Sequence, residues 1–315
     1  MRFLFLLLAV VVMDSCTETG PSRKPFKADY LLSSAQLDPL FDTVATQSIG
    51  YVDLTESSGA VVSESFPGCL WVVEDGGTSA YLYLVETASG AVIKRIRIEG
   101  VVNQDWEELA EWRDVSGKRW LVIGDIGDNE GTRNRVQLYC FHEPKASEIE
   151  GEPGDTVEYE PSSLRSREFS YADGPRDAES LFIHPVTGQI FVVSKREAAN
   201  RVYVLPWEKE SSNTDAELAQ FRGEIPLTYT TGAAARLLPS GGVEIAIRTY
   251  ESLYRWEKKP RESIEHALQR TPTKLPYKPR ELQGEIFAWS PQGDYFLLSE
   301  RVFIGRPKVL SYRRK

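Results

Sequence analysis

Residues 177–208 read DAESLFIHPVTGQIFVVSKREAANRVYVLPWE, and residues 282–314 read LQGEIFAWSPQGDYFLLSERVFIGRPKVLSYRR. Each segment has a glutamate (Glu179 or Glu285), an apolar run, a proline six residues after the glutamate, and a glycine turn. A second apolar run, a polar turn with a basic residue and a third apolar run follow in both. Short apolar runs separated by turn residues indicate antiparallel strands, and their recurrence indicates a repeat.

Three further segments follow the same plan of strands and turns. They lie at residues 56–86, 105–143 and 230–257. The gap of 106 residues between the last two glutamates is about twice one unit, so a unit without an acid is expected between them. In chain order, the repeat position holds Ser58, Glu107, Glu179, Ala233 and Glu285.

These units predict an all-β fold, a five-bladed β-propeller that occupies residues 44–315 as a single domain. A fourth strand follows each of the first four units, whereas the fifth unit ends after three strands. Residues 46–54 (TQSIGYVDL) are therefore expected to complete the last blade, and this closure removes an open sheet edge. Six blades are an alternative, because 72 residues separate Glu107 from Glu179. Short helices are expected only near residues 215–220 and 262–269.

The N-terminal residues have the pattern of a targeting segment. Residues 2–13 (RFLFLLLAVVVM) carry one positive charge and an apolar run too short to span a bilayer, as in a signal peptide. Cys16 stands where a bacterial lipoprotein is acylated, which predicts a signal segment at residues 1–16 and a tether and lead-in at residues 17–43. An ordinary secretory signal is the alternative, because Asp14 does not suit a lipobox. Both interpretations predict export, with the lipoprotein held in the cell envelope by its lipid anchor alone.

Composition excludes several classes of protein. With 41% hydrophobic and 26% charged residues, the chain is typical of a globular protein. The net charge of −9 without a basic stripe argues against a nucleic-acid partner, and a monomer is expected. Three histidines and no HExxH or CxxC motif argue against a typical zinc site. Cys69 and Cys140 lie in apolar runs, where they are either a disulfide or two buried apolar side chains.

The repeated acids predict a cation site. The first strand of each propeller blade lines the central channel, so Ser58, Glu107, Glu179 and Glu285 are expected to converge there. Carboxylates that converge in a channel repel each other, and Ca²⁺ suits mixed carboxylate and hydroxyl ligands. The alternative is that the glutamates bond to backbone N–H groups or pair with Arg176 or Arg280.

A second set of polar residues is expected around the channel mouth, mostly after the second strand of each blade. Recurring basic side chains among acids suit an anionic ligand bridged to a metal, although turn residues are often merely polar. The candidate anion-binding residues are Asp125, Asp128, Asn129, Arg133, Arg176, Lys195, Arg248, Arg280 and Arg301.

The chain resembles a family of uncharacterised exported bacterial β-propeller proteins through NQDWEELA (103–110), VIGDIGDNEGTR (122–133) and YADGPRDAESLFIHPVTGQIFVVSK (171–195). It has a more distant resemblance to the five-bladed calcium-activated nucleotidases, or apyrases. That resemblance implies that the Ser and Glu residues of the repeat position hold a central Ca²⁺. The fourth blade departs from the pattern, because a serine is expected where Ala233 stands, although Thr231 could substitute.

Two functions are consistent with these features. The first is a binding propeller, displayed on a membrane through Cys16, that holds Ca²⁺ and takes a small or anionic ligand at the channel mouth. The second is a Ca²⁺-dependent hydrolase of a phosphate ester or related anion, in which the basic side chains neutralise charge. A glycosidase that uses two of the acids is a third possibility.

Overall fold

The computed structural model describes residues 24–152, 154–207, 217–303 and 305–315. Cys16 and the predicted signal segment lie outside the described residues. Most of the described chain lies in short strands and turns, and the all-β prediction is confirmed. In chain order the strands are β1 (Phe26–Lys27), β2 (Thr46–Gln47), β3 (Ser57–Val62), β4 (Cys69–Glu74), β5 (Tyr81–Glu86), β6 (Val92–Ile98), β7 (Trp106–Arg113), β8 (Arg119–Asp125), β9 (Val136–His142), β10 (Thr156–Tyr159), β11 (Arg165–Tyr171), β12 (Ala178–Ile183), β13 (Ile190–Ser194), β14 (Asn200–Leu205), β15 (Glu217–Ile225), β16 (Thr230–Leu237), β17 (Val243–Thr249), β18 (Leu253–Lys258), β19 (Thr273–Leu275), β20 (Gly284–Trp289), β21 (Tyr295–Ser299) and β22 (Leu310–Tyr312).

Helical structure among the described residues is limited to short segments. Helix α1 spans Ile264–Leu268, as the sequence predicts, and Ser263 caps it by accepting a hydrogen bond from the His266 backbone. The helix predicted near residues 215–220 is wrong over its described part, because Glu217–Ile225 forms β15. Two 3₁₀ turns cover Leu32–Ser34 and Ala146–Glu148.

The strands pair mostly with their neighbours in sequence. The orders β3-β4-β5-β6, β16-β17-β18-β19 and β20-β21-β22 are antiparallel, and β10 lies parallel to β6 at an outer edge. Strands β7-β8-β9-β11 and β12-β13-β14-β15 belong to one larger sheet, because β11 pairs in parallel with β15. Strand β2 pairs antiparallel with β22, which is the pairing that the sequence predicts for the N-terminal strand.

The innermost strands form a closed ring. Strand β3 contacts β7, β7 contacts β12, β12 contacts β16, β16 contacts β20, and β20 returns to β3. Radial sheets whose first strands meet in a ring constitute a β-propeller. The join between β11 and β15 means that the hydrogen-bonding pattern alone does not separate five blades.

The core lies between neighbouring sheets. The alternation of side chains along each strand places apolar residues on both faces, so each sheet packs against the next on either side. Val72 and Tyr83, for example, pack with Ile286 and Leu298, which seals the interface between the first and last sheets. These buried interfaces hold the inner strands at fixed positions around the channel.

The two candidate disulfide cysteines lie in separate parts of this core. Cys69 packs in the cluster that contains Trp71, whereas Cys140 packs in the cluster that contains Trp120. Both side chains are buried, which agrees with their interpretation as small apolar residues. Among the described residues, no helix is long and apolar enough to cross a membrane.

Candidate metal centre

Each innermost strand contains a β-bulge at the same place. The pairing register shifts between the residues on either side of one unpaired position in β3, β7, β12, β16 and β20. A bulge leaves its extra residue outside the ladder and re-aims the side chain, and bulges are common beside functional sites. The five bulged residues are Ser58, Glu107, Glu179, Thr231 and Glu285.

The bulges correct the assignment of the fourth unit. Thr231, and not Ala233, is equivalent to the glutamates, because Ala233 pairs regularly with Ile247. The Ser58 and Thr231 hydroxyls make matching bonds: they donate at 2.8 Å to the carbonyls of Trp106 and Gly284. Each acceptor immediately precedes a bulged glutamate in the next inner strand. The hydroxyl oxygens keep lone pairs, so they remain usable as cation ligands.

The glutamates do not stand alone. Two sets of three carboxylates have oxygens within 4.8 Å of one another, and Glu107 belongs to both. The first set adds Asp75 and Asp105, and the second adds Asp177 and Glu179. We call these five residues the acid cluster. Asp105 and Asp177 are not among the predicted site residues, although each stands two positions before a predicted glutamate, Glu107 or Glu179.

Three members of the acid cluster, Glu107, Asp177 and Glu179, are buried, whereas Asp75 and Asp105 are half-buried. Glu107 and Glu179 are only 2% and 4% exposed. One carboxylate oxygen of Glu179, Oε2, has no hydrogen-bond partner among the described residues. A buried carboxylate oxygen without a donor or cation is costly, since desolvation of the charge is not compensated.

Burial and mutual repulsion perturb the acids strongly. Burial, followed by the hydrogen bond shared with Asp75, raises the pKa of Asp105 to about 7. Burial raises the pKa of Glu179 to about 8, although the Lys195 ammonium opposes the rise. The pKa of Glu107 lies well above its usual range because of burial and then the charge of Glu179. Without a cation, the cluster therefore retains protons near neutral pH.

Glu285 has a different environment. It is 4% exposed and belongs to neither set of three carboxylates. The Tyr250 hydroxyl donates to its Oε1 at 3.3 Å, and the same hydroxyl lies 3.0 Å from the Lys195 ammonium. Lys195 in turn binds Glu179 Oε1. Of the three glutamates predicted to converge, Glu107 and Glu179 therefore lie in the acid cluster. Glu285 instead contacts Tyr250, which in turn contacts Lys195.

A glycine brings the main chain against the acid cluster. A Cβ atom at Gly127 would lie 2.5 Å from Asp105 Oδ2 and still closer to Glu107 Oε1. Even one methyl group at this position would therefore displace the carboxylates. In the GDIGDN motif, the glycine is therefore as important as the acids, because it leaves room for the carboxylates of the acid cluster.

The polar residues of that motif mainly build the loop. Asp128 accepts hydrogen bonds from the backbone N–H groups of Thr132 and Arg133, both at 2.8 Å. The Arg133 guanidinium pairs with Asp125 at 2.6 Å. Asn129 accepts a hydrogen bond from Arg196. These contacts order the turn. They agree with the alternative to anion binding, in which such residues are ordinary polar turn residues.

The other predicted bases also have acidic partners among the described residues. Arg248 is fully buried, where it donates to Glu281 at 2.7 Å and to the Ile286 carbonyl at 2.6 Å. The remaining pairs are Arg176 with Asp173 and Glu197, Arg280 with Glu251, and Arg301 with Asp53. Arg176 and Arg280 therefore do not serve as the partners of the bulged glutamates.

The donor set indicates the kind of ion that suits the site. Every member of the acid cluster offers carboxylate oxygen. Hard cations such as Ca²⁺ prefer such ligands, whereas zinc sites usually include histidine or cysteine. The acids come from the end of β4 and from the starts of β7 and β12, and such a set suits Ca²⁺ better than the strict octahedral geometry of Mg²⁺.

No family model and no curated protein matches the sequence. Among solved structures, the fold is similar to a gluconolactonase from Xanthomonas campestris, with 12% identity, 93% of this chain and 96% of that chain covered, and a TM-score of 0.44. It is also similar to regucalcin, a calcium-binding protein from Agrobacterium tumefaciens, with 12% identity, 89% and 97% coverage, and a TM-score of 0.40. These likenesses give no support to the resemblance to apyrases.

Proposed function

We propose that this chain is a five-bladed propeller whose acid cluster binds a divalent cation, most suitably Ca²⁺. Asp75, Asp105, Glu107, Asp177 and Glu179 supply the carboxylate ligands. The bound cation then presents open coordination positions at the channel mouth to a small or anionic ligand. The protein acts as a binding module.

The observation that carries this proposal is the uncompensated Glu179 Oε2. Glu179 is 4% exposed and offers a carboxylate oxygen within 4.8 Å of oxygens of Glu107 and Asp177, and its Oε2 has no hydrogen-bond partner among the described residues. Lys195 binds the other oxygen of Glu179, and the half-exposed Arg196 pairs with Asp177. A divalent cation would satisfy the oxygen and offset the repulsion among the acids.

Five blades are supported by the bulges. One equivalent bulge occurs in each of β3, β7, β12, β16 and β20, and these strands follow one another around the ring. The parallel pairing of β11 with β15 then links the outer strands of the second and third blades.

The cellular setting is also proposed, from the N-terminal sequence. Residues 2–13 have the pattern of a signal peptide, and Cys16 would carry the lipid that holds a monomeric propeller at the cell envelope. In this setting the propeller displays its cation site to ligands outside the cytoplasm.

Calorimetric titration with Ca²⁺ after removal of bound metal by a chelator tests the proposed site. We expect one ion per chain, and Glu179→Gln should weaken binding by about tenfold or more, because a charged ligand is lost. Glu168→Gln is the matched control, since Glu168 forms an exposed pair with Arg135. Absence of Ca²⁺ binding in the native chain, or equal binding by Glu179→Gln, would refute the assignment.

A further inference from the structure

Lys195 places a fixed positive charge inside the channel. It follows β13 directly, and its side chain is only 6% exposed. Its ammonium group binds Glu179 Oε1 and lies 3.0 Å from the Tyr250 hydroxyl oxygen. The ammonium also lies 5.2 Å from the centre of the Tyr250 ring, within the range of a cation–π contact. These contacts hold the charge in one place.

Glu179 divides its two oxygens between different environments. Oε1 is occupied by the Lys195 ammonium, whereas Oε2 has no hydrogen-bond partner among the described residues. Glu179 is also a member of the acid cluster. A cation bound by this cluster and the ammonium of Lys195 would therefore share one carboxylate.

The same lysine compensates the side of the channel near Glu285. Tyr250 accepts from Lys195 and donates to Glu285 Oε1, so a chain of hydrogen bonds joins the ammonium to that carboxylate. The ammonium thus links two of the three bulged glutamates, Glu179 directly and Glu285 through Tyr250.

From this arrangement we propose that Lys195 is an internal competitor that lowers the affinity of the acid cluster for divalent cations. The inference rests on the proposed cation site and adds the residue that sets its affinity. Two positive charges that share one carboxylate in a buried site repel each other, and solvent screens this repulsion only weakly. Lys195 partly compensates the charge of the acids when no ion is bound, and it keeps bound Ca²⁺ exchangeable.

A purely structural lysine would behave differently when it is removed. Loss of a structural ion pair lowers stability and brings no gain in cation binding. Loss of a competitor lowers stability in chelator, but it also tightens Ca²⁺ binding. The two roles are therefore separated by the Ca²⁺ affinity and not by stability alone.

The test compares Ca²⁺ dissociation constants of the native chain and Lys195→Met by calorimetry, with melting temperatures measured in chelator and in excess Ca²⁺. We expect binding to tighten by about tenfold or more, because a like charge beside the ion is removed. Lys308→Met is the matched control, since the Lys308 ammonium contacts the Tyr51 ring and the Ile49 carbonyl and not the acid cluster. Lys195→Gln repeats the test if the methionine variant does not fold.

The outcomes distinguish this inference from the proposed function. Tighter binding by Lys195→Met, with the Lys308→Met variant unchanged, supports the competitor role. Equal or weaker binding by the Lys195 variants overturns it and leaves the cation site intact. Binding by the Lys195 variants but not by the native chain keeps the inference and refutes the proposed function of the native protein. Failure of all chains to bind Ca²⁺ refutes both.

Discussion

The stability of the metal-free protein should fall as the pH rises from 7 to 9. Glu179 in the folded chain has its pKa raised from 4.5 to about 8, chiefly by burial. The unfolded chain has already released this proton at pH 7, so the folded state binds more protons and loses stability as it releases them. Integration over this window gives a loss of about 1.4 kcal/mol in the free energy of unfolding for one such group.

Other buried titratable groups also affect whether the free energy of unfolding falls or rises between pH 7 and 9. The pKa values of Glu107 and Glu285 lie well above their usual range, so neither acid can gain stability as the pH rises and offset the loss. Burial lowers the pKa of His184 to about 4, and its contribution rises with pH only up to the ordinary histidine value near 6.5. That contribution is nearly complete at pH 7, so His184 does not mask the fall.

Urea denaturation in the presence of a chelator, at several pH values from 7 to 9, measures this dependence. Glu179→Gln should flatten the slope, whereas Glu168→Gln, which removes an exposed acid, should leave it unchanged. At pH 9, Ca²⁺ at a hundred times its dissociation constant should restore about 2.7 kcal/mol. A native chain whose stability stays constant or rises from pH 7 to 9 without metal would refute the account of the acid cluster.

Three further predictions concern the site and its setting. Gly127→Ala should weaken Ca²⁺ binding by about tenfold or more, because its methyl group displaces two carboxylates. Gly305→Ala, which has open space around the new Cβ, should leave Ca²⁺ binding unchanged, and calorimetry compares the two variants. A panel of phosphate esters should show no turnover, because the candidate bases are engaged in ion pairs; turnover that a chelator abolishes would establish the hydrolase alternative. Cys16→Ser should release the exported protein from the membrane fraction, and unchanged fractionation would exclude the lipid anchor.

The inner-strand glutamates were predictable from the sequence because each unit repeats its local pattern. The spacing from acid to proline to turn is preserved around Glu179 and Glu285, and the bulges occur at those residues. The pattern was misaligned by two residues in the fourth unit because no acid marks the position there. The overlooked signal is a hydroxyl residue followed by glycine, at Ser58 and again at Thr231.

Sterics explain that signal. A Cβ atom on Gly59 or Gly232 would collide with the backbone of the next inner strand, at Leu109 and Glu285 respectively. The close approach of inner strands thus requires glycine after the bulge where the strands are nearest. This contact is tertiary and is not visible from one unit alone.

The partners of the charged residues were not predictable from spacing. The recurrence of bases after the second strand suggested a shared anion site, but each base has an acidic partner of its own. These pairs are Arg133 with Asp125, Lys195 with Glu179, Arg248 with Glu281, and Arg301 with Asp53. Arg248, which is fully buried, requires Glu281 and Tyr277 as partners. Asp75 joins the acid cluster through the turn after β4, so its role depends on how neighbouring blades pack.

A crystal structure of the native chain grown in saturating Ca²⁺ would locate the bound ion. We expect one Ca²⁺, identified by anomalous scattering, at about 2.3–2.6 Å from oxygens of Glu107, Glu179 and at least one neighbouring aspartate. Lys195 should remain beside Glu179 Oε1. An acid cluster that holds only water under these conditions, with its carboxylates unmoved, would contradict the account.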